Sequence, residues 1–91
     1  MNKVELVADV AERSGLTKSD ARKAVDAMMD SIKAALASGD SVSLVGFGTF
    51  DVGHRAARAG RNPQTGESMN IPARNYAKFG ASSDWKRILN A

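Results

Sequence analysis

Apolar residues recur every three or four positions along the first part of the chain. Val4, Val7, Val10 and Ala11 fall at helical spacing, with Leu6 and Val10 four apart, so the pattern predicts a helix over 3–14. Gly15 is placed to end it. Thr17 with Asp20 three positions later forms a capping box in which Asp stands for the usual Glu or Gln. A second helix is expected to run from there to about Ser38. Its apolar face is Ala21, Ala24, Val25, Met28, Ile32, Ala35 and Leu36, with Met29 beside it and Gly39 behind it as a C-cap.

The period then changes. Val42 and Leu44 alternate as in a strand, and Gly46 and Gly48 flank Phe47 in a turn or bulge. A second strand passes through Phe50 and Val52 and continues into a basic segment. In "NPQTG", residues 62–66, Pro63 presets φ and Gly66 can turn left-handed while the chain reverses. The segment "ESMNIPAR" returns as a strand. Trp85, Ile88 and Leu89 then recur at helical spacing behind a possible Ser82 or Ser83 cap. Two helices, three strands and a short closing helix make an α+β arrangement.

Ninety-one residues make a single domain, and 43% apolar with 25% charged residues describes a globular chain rather than a disordered one. There is no apolar run of the ~20 residues that a membrane span requires. Glu5 and Asp9 interrupt the N-terminal pattern, which argues against a secretory signal. The chain has no cysteine, which excludes a disulfide scaffold and makes a reducing cytoplasm the expected compartment. His54 is the lone histidine, so neither a zinc site nor a catalytic pair is expected, and no cofactor or small-molecule substrate is implied. "GFGTFDVG" lacks the Walker lysine and does not lead into a helix. Trp85 reads as a core residue.

Charge placement alters the picture. The chain is +3 in total, yet residues 1–52 are net negative. Residues 53–78 carry Arg55, Arg58, Arg61, Arg74 and Lys78 against Glu67 alone, as expected of a surface that meets a polyanion. This hairpin has only Ala56, Ala57, Ala59, Met69 and Ile71 as apolar content, and an isolated two-stranded hairpin is marginal in water. Its second face is expected to come from a partner, and duplex DNA fits. A ribbon can enter a groove, arginines reach phosphates, and a proline at the tip can wedge between base pairs and kink the duplex. Without the arm, 54–74, about 70 residues remain, a size that rarely stabilises itself with one core, so a dimer is expected.

At these residues the chain resembles the bacterial HU family of histone-like proteins. The resemblance rests on "GFGTF" at 46–50, "RAARAGRNPQTGE" at 55–67 and "IPA" at 71–73, with "MNK" at the start and "KAVDAM" at 23–28. It covers nearly the whole chain. It implies an intertwined homodimer with a dimerisation body, 1–53 and 75–91, and two β-arms that bind the minor groove, bend and compact DNA with little sequence preference, as is general to minor-groove architectural proteins, HU among them. Bent, nicked or junction DNA would be the preferred partner, and a nucleoid-associated cytoplasmic location follows. By position, Pro63 is the intercalating tip with Arg61 and Asn62 beside it. Arg55, Arg58 and Arg74 contact the backbone, Lys3, Lys78 and Lys86 meet flanking DNA, and Phe47, Phe50 and Phe79 form the aromatic dimer core.

The chain departs from the family after residue 73. "YAKFGASSDWK" has Ala77 at a common proline position, and Gly80 and Ser83 at lysine positions; Gly53 also stands where a base is frequent. Fewer cations there imply a smaller DNA footprint or a shallower bend. Two rival readings are a sequence-specific, IHF-like bender and an RNA-binding module, and for the latter the chain lacks the usual aromatic stacking platform. An enzyme is not expected, since no nucleophile–base pair or paired-acid motif stands out.

Overall fold

The computed structural model describes residues 1–90, in two compact units: Met1–Ala35, and the chain from Leu36 onward.

The first unit is a helix pair. Helix α1 spans Lys3–Ser14, the range predicted from spacing. Asn2 caps it by accepting the Glu5 N–H on Oδ1 at 2.9 Å, and Gly15, at φ 75°, closes it with a bond to the Ala11 carbonyl at 3.0 Å. Asp9 and Arg13 pair one turn apart at 2.8 Å. Helix α2 spans Lys18–Ala37, and Thr17 Oγ1 accepts the Asp20 N–H at 3.1 Å, so the cap expected from sequence is formed. Thr17→Ala should lower stability by about 1 kcal/mol, read as a fall in the denaturation midpoint with an unchanged m-value.

Val7 and Ala11 of α1 bury against Ala21 and Val25 of α2, with Val10 and Met29 packed alongside. That core is small, and two of its four buried members are alanines. The rest of the α2 stripe is covered only in part: Ala24 and Met28 are exposed, Met28 by 53%, and Ile32, Ala35 and Leu36 are half-buried, while Val4 of α1 is 78% exposed. The periodicity identified the apolar side correctly, but one neighbouring helix covers only part of it.

The second unit is built on strands. Strand β1, Val42–Leu44, is followed by a turn in which Gly46 adopts φ 78° and the Phe47 N–H bonds to the Leu44 carbonyl at 3.0 Å. Strands β2, Gly48–Arg55, and β5, Arg74–Ala81, complete an antiparallel sheet of order β1-β2-β5. Strands β3, Arg58–Arg61, and β4, Ser68–Ile71, form a separate two-stranded ribbon. This is the sheet-plus-arm architecture implied by the resemblance.

The expected continuous hairpin is interrupted. Arg55↔Arg74 is the last pair of the sheet and Arg58↔Ile71 the first of the ribbon, so the register carries across while Ala56, Ala57, Pro72 and Ala73 stay outside the ladder. Pro72 has no N–H to donate, which accounts for a gap at that place.

The sheet has two unlike faces because successive side chains alternate. Phe50 pairs with Phe79 and Val52 with Ala77 on one face, and their neighbours Thr49↔Gly80, Asp51↔Lys78 and Gly53↔Tyr76 lie on the other. The Phe79 ring lies tilted against Phe50 at 4.8 Å and Phe47 at 5.5 Å between centroids, and Phe47 meets Trp85 edge-on at 5.5 Å. Gly48 is required here: a Cβ would stand 2.5 Å from the Gly80 carbonyl oxygen and 2.6 Å from the Phe79 ring.

Helix α3, Asp84–Leu89, closes the described chain. Ser83 occupies its N-cap position without a side-chain cap bond; the turn is held instead by Trp85 N–H to the Ser82 carbonyl and Lys86 N–H to the Ser83 carbonyl, both 3.2 Å. Trp85 is only half-buried, and its indole N–H donates to the Phe47 carbonyl. None of the described helices is long and apolar enough to cross a membrane.

Candidate nucleic-acid interface

The arm begins where the sheet ends. Arg55 and Arg74 face each other as a cross-strand pair, an arrangement that places like charges side by side. Such a pair costs on the order of a few tenths of a kcal/mol and favours an anion between or beside the two. One residue inward, His54 Nδ1 and Asn75 Oδ1 are hydrogen-bonded at 2.8 Å, which ties the two strands at the root. Beyond the ladder gap, Arg58 turns to the same shallow cleft as Arg55 and Arg74. The cleft, of about 340 Å³, is floored by Ala56, Ile71 and Pro72. Arg55, Arg58 and Arg74 thus line one cleft at the gap, floored by small and rigid residues.

Arg61 ends β3 at the tip, where a loop reverses the chain. Asn62 N–H bonds to the Glu67 carbonyl at 2.8 Å and Gly66 N–H to the Asn62 carbonyl at 2.7 Å. Gly66 has φ 71°, the left-handed conformation expected of it. Asn62 Oδ1 accepts the Gln64 N–H at 2.9 Å, an Asx turn that spans Pro63. The side chain of Asn62 therefore braces the loop, and Pro63 is left exposed at the apex.

Arg55, Arg58, Arg61 and Arg74 are all exposed, and among the described residues the ion pairs are Lys3–Asp26, Asp9–Arg13 and Asp84–Arg87. The arm cations are thus unmatched by any acid within the described chain. The remaining cations named from sequence are dispersed. Lys78 is exposed on the polar face of the sheet, opposite Asp51. Lys86 is exposed on α3. Lys3 belongs to the helical unit and is held by Asp26 at 2.6 Å, so its charge is already partnered. Phe47, Phe50 and Phe79 do come together, and Trp85 joins them.

Two features of the root were not visible in the sequence. Tyr76, not singled out there, lies over Gly53, and the Arg55 guanidinium lies 5.4 Å from its ring centroid. The gap at Pro72 was missed as well. Both follow from register: Gly53 and Tyr76 are cross-strand partners, a relation that can be read only once the pairing is known.

The sequence profile described as bacterial DNA-binding protein matches residues 1–90. The chain belongs to this family. Among curated bacterial DNA-binding proteins, HU of Geobacillus stearothermophilus is 63% identical over 79 residues, covering 87% of this chain and 88% of that protein. DNA-binding protein HRL53 of Rhizobium leguminosarum is 53% identical over 90 residues, 99% of each chain. Among solved structures, an Anabaena HU–DNA cocrystal structure superposes with TM-score 0.89 at 45% identity, covering 98% of this chain and 97% of that one. HU from Thermotoga maritima matches with TM-score 0.68 at 28% identity and 98% coverage of both. The two solved structures share the fold described above, and the family of bacterial DNA-binding proteins is not an enzyme family.

Proposed function

We propose that this chain is an architectural DNA-binding protein of the HU kind, a homodimer that grips duplex DNA with its two arms and bends it with little regard to sequence. The observation that carries this reading is the arm: a ribbon with few apolar side chains, four exposed arginines without acid partners among the described residues, and a proline at its exposed apex. Arginines on an exposed ribbon suit phosphates and the minor groove, and the small residues of the ribbon permit close approach. The cocrystal of the Anabaena relative with DNA supports the same partner.

The sites follow from position on the arm. Arg55, Arg58 and Arg74 contact backbone phosphates at the root, and Arg61 and Asn62 flank Pro63, which wedges between base pairs. Lys78 and Lys86 meet DNA beyond the arm, and Lys3 joins them only on leaving Asp26. Bent, nicked or junction DNA is preferred because the cost of kinking is then already met. The dimer suits the exposure: Phe47 and Phe79 remain 43% and 44% exposed, and Leu89 of α3 72%. A second copy covers these rings. Location in the bacterial cytoplasm, on the nucleoid, follows from the DNA partner.

Fluorescence anisotropy tests the reading. Duplexes of unrelated sequence should bind alike, with log K falling linearly as log salt rises, by about 0.9 per phosphate neutralised. A sharp sequence consensus, or preference for duplex RNA, would overturn it. Gly80→Lys/Ser83→Lys should steepen that slope by about one to two contacts. Position 80 accepts a side chain without collision, since a Cβ there meets nothing within 4 Å. An unchanged slope would show that DNA does not reach this part of the sheet.

A further inference from the structure

We infer that Tyr76 is a positioning residue for DNA binding: its ring forms a platform, seated on Gly53, that holds the Arg55 guanidinium at the root of the arm. This rests on the DNA-binding reading above and assigns a role to a residue outside the set of arm cations.

The geometry starts from register. Gly53 and Tyr76 are directly opposed in the β2–β5 ladder, and Arg55 is two residues further along the same face. A Cβ added at position 53 would collide with Tyr76 Cζ and stand 2.6 Å from both Cε2 and Oη, so the ring lies across the bare backbone of the glycine. An aromatic side chain laid over a strand glycine in this way replaces the packing that the glycine lacks. Gly53 is buried although it has no side chain, as a covering ring requires. A bare backbone at position 53 is therefore the condition for seating Tyr76.

The seat has an electrostatic consequence. The Arg55 guanidinium carbon is 5.4 Å from the Tyr76 centroid, within cation–π range. A guanidinium held over a ring face by this attraction keeps N–H groups available for a phosphate. Without the ring, Arg55 would be a long flexible side chain facing the like charge of Arg74. The platform gives it one side of the strand to occupy and orders it before DNA arrives, so less freedom is lost on binding. The hydrogen bond of His54 to Asn75 steadies the strands between the two pairs.

The test is a double-mutant cycle on the full-length protein, read by anisotropy on a nicked duplex. Tyr76→Ala should weaken binding about two- to fivefold, the fold-change equivalent to an exposed cation–π contact. It should have no further effect once Arg55 is Ala. Tyr76→Phe keeps the ring face and should bind as wild type. Tyr76→Leu covers Gly53 without a quadrupole and should bind as weakly as Tyr76→Ala. Wild-type affinity in Tyr76→Leu would reduce the ring to structural cover and overturn the proposal. So would a Tyr76→Ala defect that persists undiminished beside Arg55→Ala, or a defect in Tyr76→Phe, which would shift the role to the hydroxyl. If the wild-type chain failed to bind DNA at all, the underlying reading would fall, and the role of Tyr76 with it.

Discussion

Phe79→Ala leaves the chain largely monomeric and poorly folded at micromolar concentration. The ring of Phe79 touches both Phe47 and Phe50, and Gly48 lacks a side chain where the ring passes. Truncating a Phe in a packed core costs about 3–5 kcal/mol. A 91-residue chain has on the order of 5–14 kcal/mol in total. The helical unit cannot compensate, because its buried core is Val7, Ala11, Ala21 and Val25. In the wild type, coupling of folding to association should make the melting temperature rise with protein concentration. Sedimentation equilibrium and melts at two concentrations check both statements. Trp85, edge-on to Phe47 and bonded to its carbonyl, supplies a local reporter, and its emission should shift to the red in the variant. A Phe79→Ala protein that stays dimeric with an unshifted melt would place the interface elsewhere.

Pro63→Ala removes the preference for nicked over intact duplex while leaving the salt dependence of binding nearly as it was. The two properties separate because different groups carry them. The salt slope counts phosphates met by cations, and Pro63 carries no charge. The nick lowers the cost of unstacking a step, and only a protein that unstacks one gains from it. We expect the ratio of nicked to intact affinity to fall about tenfold, or 1.4 kcal/mol, from an unstacking cost of a few kcal/mol. The tip itself should survive the substitution. Its bonds join Asn62 to Glu67, Gly66 to Asn62 and Gln64 to the Asn62 side chain, and none involves Pro63. Anisotropy with the two duplexes at three salt concentrations measures both quantities. A ratio unchanged by the substitution would remove Pro63 from the wedge role.

Features set by a few adjacent residues were legible in the sequence. The ends of α1, the Thr17 cap and the left-handed Gly66 all depend on neighbours within four positions. The basic arm was legible because Arg55, Arg58, Arg61, Arg74 and Lys78 fall in one segment of the chain with Glu67 as its single acid. What lay hidden depends on pairing between distant residues. The ladder gap arises where Ala57 and Pro72 come opposite each other, and the Tyr76 ring is explained only by a glycine across the strand. The indole of Trp85 finds the Phe47 carbonyl 38 positions away. A spacing argument also cannot say what covers an apolar stripe: α2 has the expected periodicity, yet its Met28 remains open in the single chain. Ser83 shows the converse limit, since a favourable residue type stands at the N-cap without making the bond.

Bending is the central claim, and end-to-end energy transfer measures it most directly. A duplex of about 35 bp, well below the ~150-bp persistence length, carries a donor at one end and an acceptor at the other, and is essentially straight when free. Saturating protein should raise the transfer efficiency of the intact duplex, and more so with a central nick, in proportion to the bound fraction read by anisotropy. Full binding with unchanged transfer would mean that the arms hold DNA without bending it, and would contradict the account.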